Sequence, residues 1–345
     1  MLSLGISFAD VTISGSVNQT IGNWKDGGVI VKNNFSALGD RNLATGDSFF
    51  TFSGSEDLGD GMSASFKIEP RVNISGADSS TNVRNSTGSD TTTLNNIFGF
   101  NREAWAGLSG AFGTVRLGNN YTPLFLKSVA AYDPNGSTNM PGYLVSNVTT
   151  FNAGNSIDYN APKFIDGLGI QLNKNFGRAS TITSAAANAN AGDSVGWGVS
   201  YSVSGFSAGL AGETTKDTKL SDGVNTVASA SSSTDLKKTG YGISYDFGVA
   251  KVSFQGLDAK LGSASSKTYG YGVTVPMGTV TFKAGISNLN NTGSGTYKDD
   301  YEAYQVGANY AFSKRTSAYF LFSQTKNTTD NTQLNINAVG VVHNF

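Results

Sequence analysis

Residues 195–203 read Val-Gly-Trp-Gly-Val-Ser-Tyr-Ser-Val. Val195, Trp197, Val199, Tyr201 and Val203 fall on one side, and Gly196, Gly198, Ser200 and Ser202 on the other. An amphipathic helix repeats its apolar residues every three to four positions; this stretch repeats every second one, the period of a strand with one greasy and one polar face. Ser204-Gly205, a short turn, ends the run. The same alternation recurs further along. Tyr241, Ile243, Tyr245 and Phe247 alternate with Gly242, Ser244 and Asp246, and Tyr269, Tyr271, Val273 and Val275 with Gly270, Gly272 and Thr274. Val280, Phe282, Ala284 and Ile286 alternate with Thr281, Lys283, Gly285 and Ser287.

Applied to the whole chain, this period predicts sixteen strands. They begin near Asp10, Gly46, Gly61, Asn96, Gly113, Gly154, Leu168, Asp193, Gly205, Lys237, Val249, Ser266, Thr279, Tyr301, Arg315 and Gln333. Short turns recur between them, at Leu58–Gly61, Ser109–Phe112, Ser204-Gly205, Asp246–Gly248, Pro276–Gly278 and Ser313-Lys314. Long polar loops lie between the turns, at Ile74–Asn95, Thr122–Ala153, Arg178–Gly192 and Thr214–Leu236. An even strand count, with short turns on one side and long loops on the other, is the pattern of a membrane-spanning antiparallel barrel.

Composition agrees. The 345 residues include 43 Gly but only 6 Pro, as a chain of paired strands requires, because proline removes a ladder donor. With 24 Lys+Arg against 25 Asp+Glu there is no basic excess to suggest nucleic acid. The absence of Cys removes disulfides, thiolate zinc sites and Cys nucleophiles together. Mean hydropathy is −0.18 and no run of 18 apolar residues occurs, so no membrane helix is predicted. Alternating faces cancel in such a window, so a membrane barrel passes undetected by that test.

The faces then separate a membrane barrel from a soluble one. A soluble sandwich or small barrel packs its apolar faces inward. Sixteen strands enclose more space than side chains can fill, so the apolar face must point outward into lipid and leave water within. Phe112, Phe164, Phe206, Phe247, Phe312 and Phe345 cluster beside the short turns, where an interfacial aromatic girdle belongs. Met1–Ala9 is apolar, with Ser7 and Ala9 placed as in a secretory cleavage site before Asp10; residues 1–9 are read as a signal remnant or a leader, and 10–345 as one barrel domain.

Several blocks carry a resemblance. They are Gly54-Ser55-Glu56-Asp57-Leu58-Gly59, Asn101-Arg102-Glu103-Ala104-Trp105-Ala106-Gly107-Leu108, Phe112–Gly118 with Tyr121-Thr122-Pro123, Ser156–Phe164, Phe312-Ser313-Lys314-Arg315-Thr316, and the closing Gly340–Phe345. Together they resemble the general trimeric porins of β-proteobacteria, including the neisserial ones. The resemblance implies an all-β, sixteen-stranded antiparallel transmembrane β-barrel in the bacterial outer membrane, with a third external loop that constricts the pore. It implies a homotrimer, contact with outer-membrane lipid and lipopolysaccharide, and recognition of Phe345 by the barrel-assembly machinery. One departure stands out: Asn119 follows Leu117-Gly118 where the family usually carries a basic pore residue.

If the apolar face meets lipid, the opposite face lines water. Lys67, Glu69 and Arg71 then face inward, as do Thr114, Arg116, Arg102, Lys251, Lys283 and Asp158, with Glu213 placed more loosely. Residues 122–153 are the expected constriction loop, whose two charges are Lys127 and Asp133. Arg71, Arg102 and Arg116 are expected to form a basic wall, opposed by Glu69 and Asp133, and the excess of bases predicts a mild anion preference. The bland alternative is that these charges pair with one another and keep the lumen wet.

No enzyme is predicted. Gly205-Phe206-Ser207-Ala208-Gly209 fits a nucleophile-elbow pattern, but it opens an alternating strand rather than a strand-to-helix turn. The single histidine, His343, sits near the end. No cofactor is expected; Asp299-Asp300 and the pair Asp217 and Asp222 lie in external loops, where carboxylates can loosely hold Ca²⁺ but more often are simply solvated. A solute-specific channel and a soluble β-rich binding protein are the alternative readings.

Overall fold

A computed structural model describes residues 10–26, 29–36, 48–72, 98–134, 148–177, 192–216, 220–221, 226–227, 234–293 and 299–345. The leader expectation for residues 1–9 lies outside them, as do Asp217 and Asp222. The strands are β1 (Asp10–Asp26), β2 (Val29–Ser36), β3 (Phe49–Gly59), β4 (Met62–Val72), β5 (Phe98–Gly110) and β6 (Gly113–Tyr121). They continue as β7 (Asn152–Asn160), β8 (Leu168–Asn175), β9 (Ser194–Val203), β10 (Phe206–Thr215), β11 (Leu220–Ser221), β12 (Thr226–Val227) and β13 (Leu236–Asp246). The last are β14 (Lys251–Leu261), β15 (Ala264–Met277), β16 (Val280–Thr292), β17 (Tyr301–Ala311), β18 (Thr316–Asn327) and β19 (Gln333–Asn344).

Leaving aside β2 and the small β11–β12 ladder, sixteen of these nineteen strands form one antiparallel wall. It closes on itself: β19 pairs with β1 from Ser16↔Asn344 to Asp26↔Leu334, while the first part of β1 pairs with β3 from Asp10↔Ser55 to Ser16↔Phe49. Closure leaves no unpaired barrel edge, which the hydrocarbon interior of a membrane demands. At the seam, Phe345 exchanges both backbone hydrogen bonds with Gly15, and its ring lies 5.5 Å from that of Phe50.

The sequence-based strand starts all fall within three residues of a wall strand's start. Three features were not expected. β2 pairs with the upper part of β1, from Thr20↔Ser36 to Asp26↔Val29, beyond the reach of β3. A single turn of π-helix, Phe125–Val129, follows β6. The loop sorting also has an exception, because β14 and β15 are joined at the long-loop end by Gly262-Ser263 alone. The short end is built as expected: Asp60-Gly61 and Ser204-Gly205 carry φ of 51° and 73°, and 46° and 84°, the paired positive values that a two-residue hairpin needs to match strand twist.

Alternation sorts the side chains by face. On β9, Val195, Trp197, Val199, Tyr201 and Val203 are exposed, whereas Ser194, Gly196 and Gly198 are buried. Many large apolar side chains around the barrel are exposed, by between 37% and 75%. Water would penalise each by about 1.5–3 kcal/mol relative to burial, so a wall of this kind is stable only against lipid. A span of roughly ten residues rising about 3.3 Å each and tilted near 40° covers the ~25 Å apolar band of such a membrane. At the short-turn end, Phe112, Phe164, Phe247, Phe312 and Phe345 are exposed and Phe206 half-buried, and the rings of Phe247 and Phe312 meet those of Tyr245 and Tyr310 at a steep angle.

Candidate functional site

The inner face of β4–β6 gathers the charges. Lys67 Nζ lies 2.9 Å from Glu69 Oε2 and 2.5 Å from Glu103 Oε2, and Arg102 Nε lies 2.6 Å from Glu69 Oε1. Thr51 Oγ1 donates to Glu69 at 2.8 Å, and Trp105 Nε1 donates to Glu103 at 3.2 Å. The Arg102 guanidinium sits 4.3 Å over the Phe49 ring, and that of Arg116 sits 4.5 Å over Trp105. An aromatic face under a guanidinium fixes its plane without using its donors.

Arg102 reaches this cluster through a backbone irregularity. Alternation from the exposed Leu108 and Ala106 would send residue 102 outward. Between Glu69↔Glu103 and Arg71↔Gly99, however, β5 spends four residues where β4 spends two. That bulge turns Arg102 inward, a common use of such an irregularity. Its carbonyl accepts hydrogen bonds from Asn119 Nδ2 and Asn152 Nδ2. Asn119 therefore supports the Arg102 backbone.

One expectation needs correction. Glu69 does not oppose the basic wall from across the lumen; it stands within that wall, between Lys67 and Arg102. The alternation that placed Glu69 inward is the same alternation that places Lys67 beside it on β4, so the two share one side. Glu103 completes the group and was not singled out from the sequence, where it falls beside Arg102 and only the bulge allows both to face inward.

Next around the wall, Arg116 pairs in register with Asp158. Asp158 is fully buried and accepts hydrogen bonds from Asn160 Nδ2, Gln171 Nε2 and Asn173 Nδ2, at 2.7, 2.7 and 3.3 Å. Its carboxylate is thus held in the wall by three amides.

Residues 122–134 turn inward from β6 and lie along the inner face of β8–β10, β13 and β15. Thr122 Oγ1 accepts from Phe125 N at 3.1 Å and donates to the Thr150 carbonyl, tying the two stems of the loop together. The rings of Tyr121, Phe125 and Phe151 meet in tilted contacts, with centroids 5.1 Å apart in each. Leu124, Phe125 and Val129 pack against Leu236, Leu257, Leu261 and Leu289, an apolar patch on the inner wall. The returning stem is held by Thr150, whose Oγ1 donates to Glu213 at 2.6 Å and accepts from Lys238 Nζ at 2.8 Å. Neither Lys238 nor this patch was foreseen; inward leucines on β14 read as a break in the alternation until the loop is seen to cover them.

Lys127 packs against Gly198 and points its ammonium toward Gly169. Burial pushes it below the ordinary lysine range, with Asp158 pulling the other way. Asp133, buried near the far end of the segment, lies within electrostatic reach of Lys283 on β16, while Lys251 Nζ approaches the Ala131 carbonyl at 3.5 Å. The loop thus carries its acidic residue away from β4–β6. Among the described residues no group of three acidic or histidine side chains has metal-binding geometry. Asp299 and Asp300 instead accept hydrogen bonds from Asn327 Nδ2 and Asn291 N, at 3.2 and 2.8 Å.

The sequence profile described as Gram-negative porin matches residues 2–330. The major outer membrane protein P.IB of Neisseria meningitidis serogroup B is 26% identical over 332 residues, covering 90% of this chain and 86% of that protein. Outer membrane porin protein 32 of Delftia acidovorans is 29% identical over 331 residues, covering 89% and 84%. Among solved structures, the anion-selective porin from Comamonas acidovorans superposes with a TM-score of 0.70 at 22% identity over 98% of this chain and all of that one. OmpT of Vibrio cholerae in its trimer form gives a TM-score of 0.65 at 10% identity, covering 98% and 100%.

Proposed function

This chain belongs to the Gram-negative porin family, and we propose that its channel is narrowed by residues 122–153 and mildly prefers anions. It is an outer-membrane, multi-pass β-barrel for passive diffusion of small hydrophilic solutes. The observation that carries the selectivity is a charge imbalance on the inner face. Among the described residues, Lys67, Arg71, Arg102, Arg116, Lys127, Lys238, Lys251 and Lys283 are set against Asp57, Glu69, Glu103, Asp133, Asp158, Glu213 and Asp246. In a pore with low-dielectric walls, a net positive lining raises the local anion concentration. The Comamonas porin of the same fold is described as anion-selective, which favours the same sign.

The narrowing is supported by the path of residues 122–134, which occupy space inside the wall that a surface loop would leave to solvent. Homotrimer assembly is supported by the trimer form of the Vibrio cholerae neighbour. Phe345 is read as the signal to the assembly machinery, and its place at the closing seam suits that role. Lipid and lipopolysaccharide would meet the exposed apolar belt.

Reversal potential across a planar bilayer in a salt gradient tests the sign. The expected result is a potential of anion sense that diminishes in Arg116→Gln. A clear cation preference would refute the proposal.

A further inference from the structure

We propose that the inward glycines of β9, β10, β13 and β15 form a seat that lets residues 123–134 lie at backbone contact with the wall, and that this seat sets the width of the bore. The inference rests on the reading that this segment narrows the channel. Glycine weakens the interior of a strand and recurs there where another backbone approaches closely. Here the approach is visible. A Cβ on Gly209 would overlap the Lys127 carbonyl oxygen, one on Gly240 would overlap Ser128 Oγ, and one on Gly242 would overlap the Tyr132 ring. At Gly198 it would stand 2.8 Å from Lys127 Cγ, and at Gly272 2.6 Å from Pro134 Cγ.

These positions adjoin one another. Gly209 and Gly242 face each other across the β10–β13 ladder, and Gly198, Ala211 and Gly240 form a row across β9, β10 and β13. Inward glycines elsewhere meet the neighbouring strands instead: Gly107 meets Val115 and Arg116, Gly307 meets Phe320 and Leu321, and Gly340 meets the Tyr319 ring. What sets the inward glycines of β9, β10, β13 and β15 apart is that the nearest atoms to an added Cβ belong to residues 123–134. The conflict at Gly209 is with backbone, so no rotamer change relieves it. An added methyl there must push Lys127 off the wall until ordinary contact, about 3.5–4.0 Å, is restored. The displacement is toward the channel axis.

Single-channel conductance and the size cut-off for polyethylene glycols, read for folded barrels in planar bilayers, test this. Gly209→Ala and Gly242→Ala should both lose conductance and exclude smaller polymers than the wild-type channel does. Gly307→Ala, an inward position whose nearest atoms belong to Phe320 and Leu321, should keep the wild-type bore. Should Gly209→Ala fail to insert, Gly242→Ala decides through its partner. Tyr132→Ala removes the ring in question, so in the Tyr132→Ala background Gly242→Ala should have no further effect, a non-additive pair. An unchanged or wider bore in the glycine variants, additive effects with Tyr132→Ala, or an equal loss at Gly307→Ala would overturn the seat. A wild-type chain that opens no channel would instead overturn the porin reading itself.

Discussion

At Glu69 one carboxylate serves Arg102, Lys67 and Thr51, and the consequence for transport is specific. It subtracts charge from a basic wall and creates no field across the lumen. Glu69→Gln should therefore strengthen anion preference, read as a larger reversal potential of anion sense; a smaller one would show that Glu69 acts from elsewhere. Lys127 offers a titration. Because burial lowers its pKa, it should lose its charge below the ordinary lysine value of about 10.4 as pH rises, and anion preference should fall with it. Lys127→Gln should lack that alkaline fall; a variant that titrated unchanged would assign the step to another lysine. Much of this group was legible in the sequence, since Lys67, Glu69, Arg71, Arg116 and Asp158 needed only a period of two. Arg102 was placed correctly although strict alternation argues against it, and Glu103 and Lys238 were passed over. Glu103 and Lys238 obey the alternation; only Arg102 breaks it, because partners on neighbouring strands and a bulge decide which charges meet, and neither is written in the local pattern.

At the level of the strand, the alternation itself is the functional device. Val199 on β9 is paired with Leu210 on β10, and both point outward. Val199→Lys should destabilise the folded barrel in bilayers by roughly 2–4 kcal/mol, the range for a lysine near the membrane midplane. Urea titration in lipid would measure it, and a cost near zero would mean that this face is wet. Strands with clean alternation were found within three residues of their starts. β2 was missed because Val29-Ile30-Val31 runs together apolar residues without alternating, and because it adds to β1 where no wall position was vacant in a count of sixteen. The π-helical turn at Phe125–Val129 was invisible for another reason: five residues are too few to show a period, and its stability comes from packing against leucines remote in sequence.

For the whole molecule, the barrel solves two problems with one wall. Ring closure from β19 to β1 satisfies the backbone, and the two faces are given to two solvents. The inner wall is not uniform. Its charged sector lies on β4–β6, its glycine sector under the loop, and its leucines where the loop is fastened. This arrangement lets a wide cylinder carry charges and a fastened loop on its inner face without filling its centre.

The assignment of faces can be read directly, because a chain without cysteine gives every introduced thiol a clean signal. Single cysteines at Thr114 and Asn309 on the inner face, and at Leu117 and Val306 on the outer, would be exposed to a charged, water-soluble thiol reagent while current is recorded through a bilayer. Reaction with a fall in current is expected at 114 and 309, with 117 and 306 protected by lipid. Modification of the second pair with the first left untouched would place the water on the wrong side of the wall.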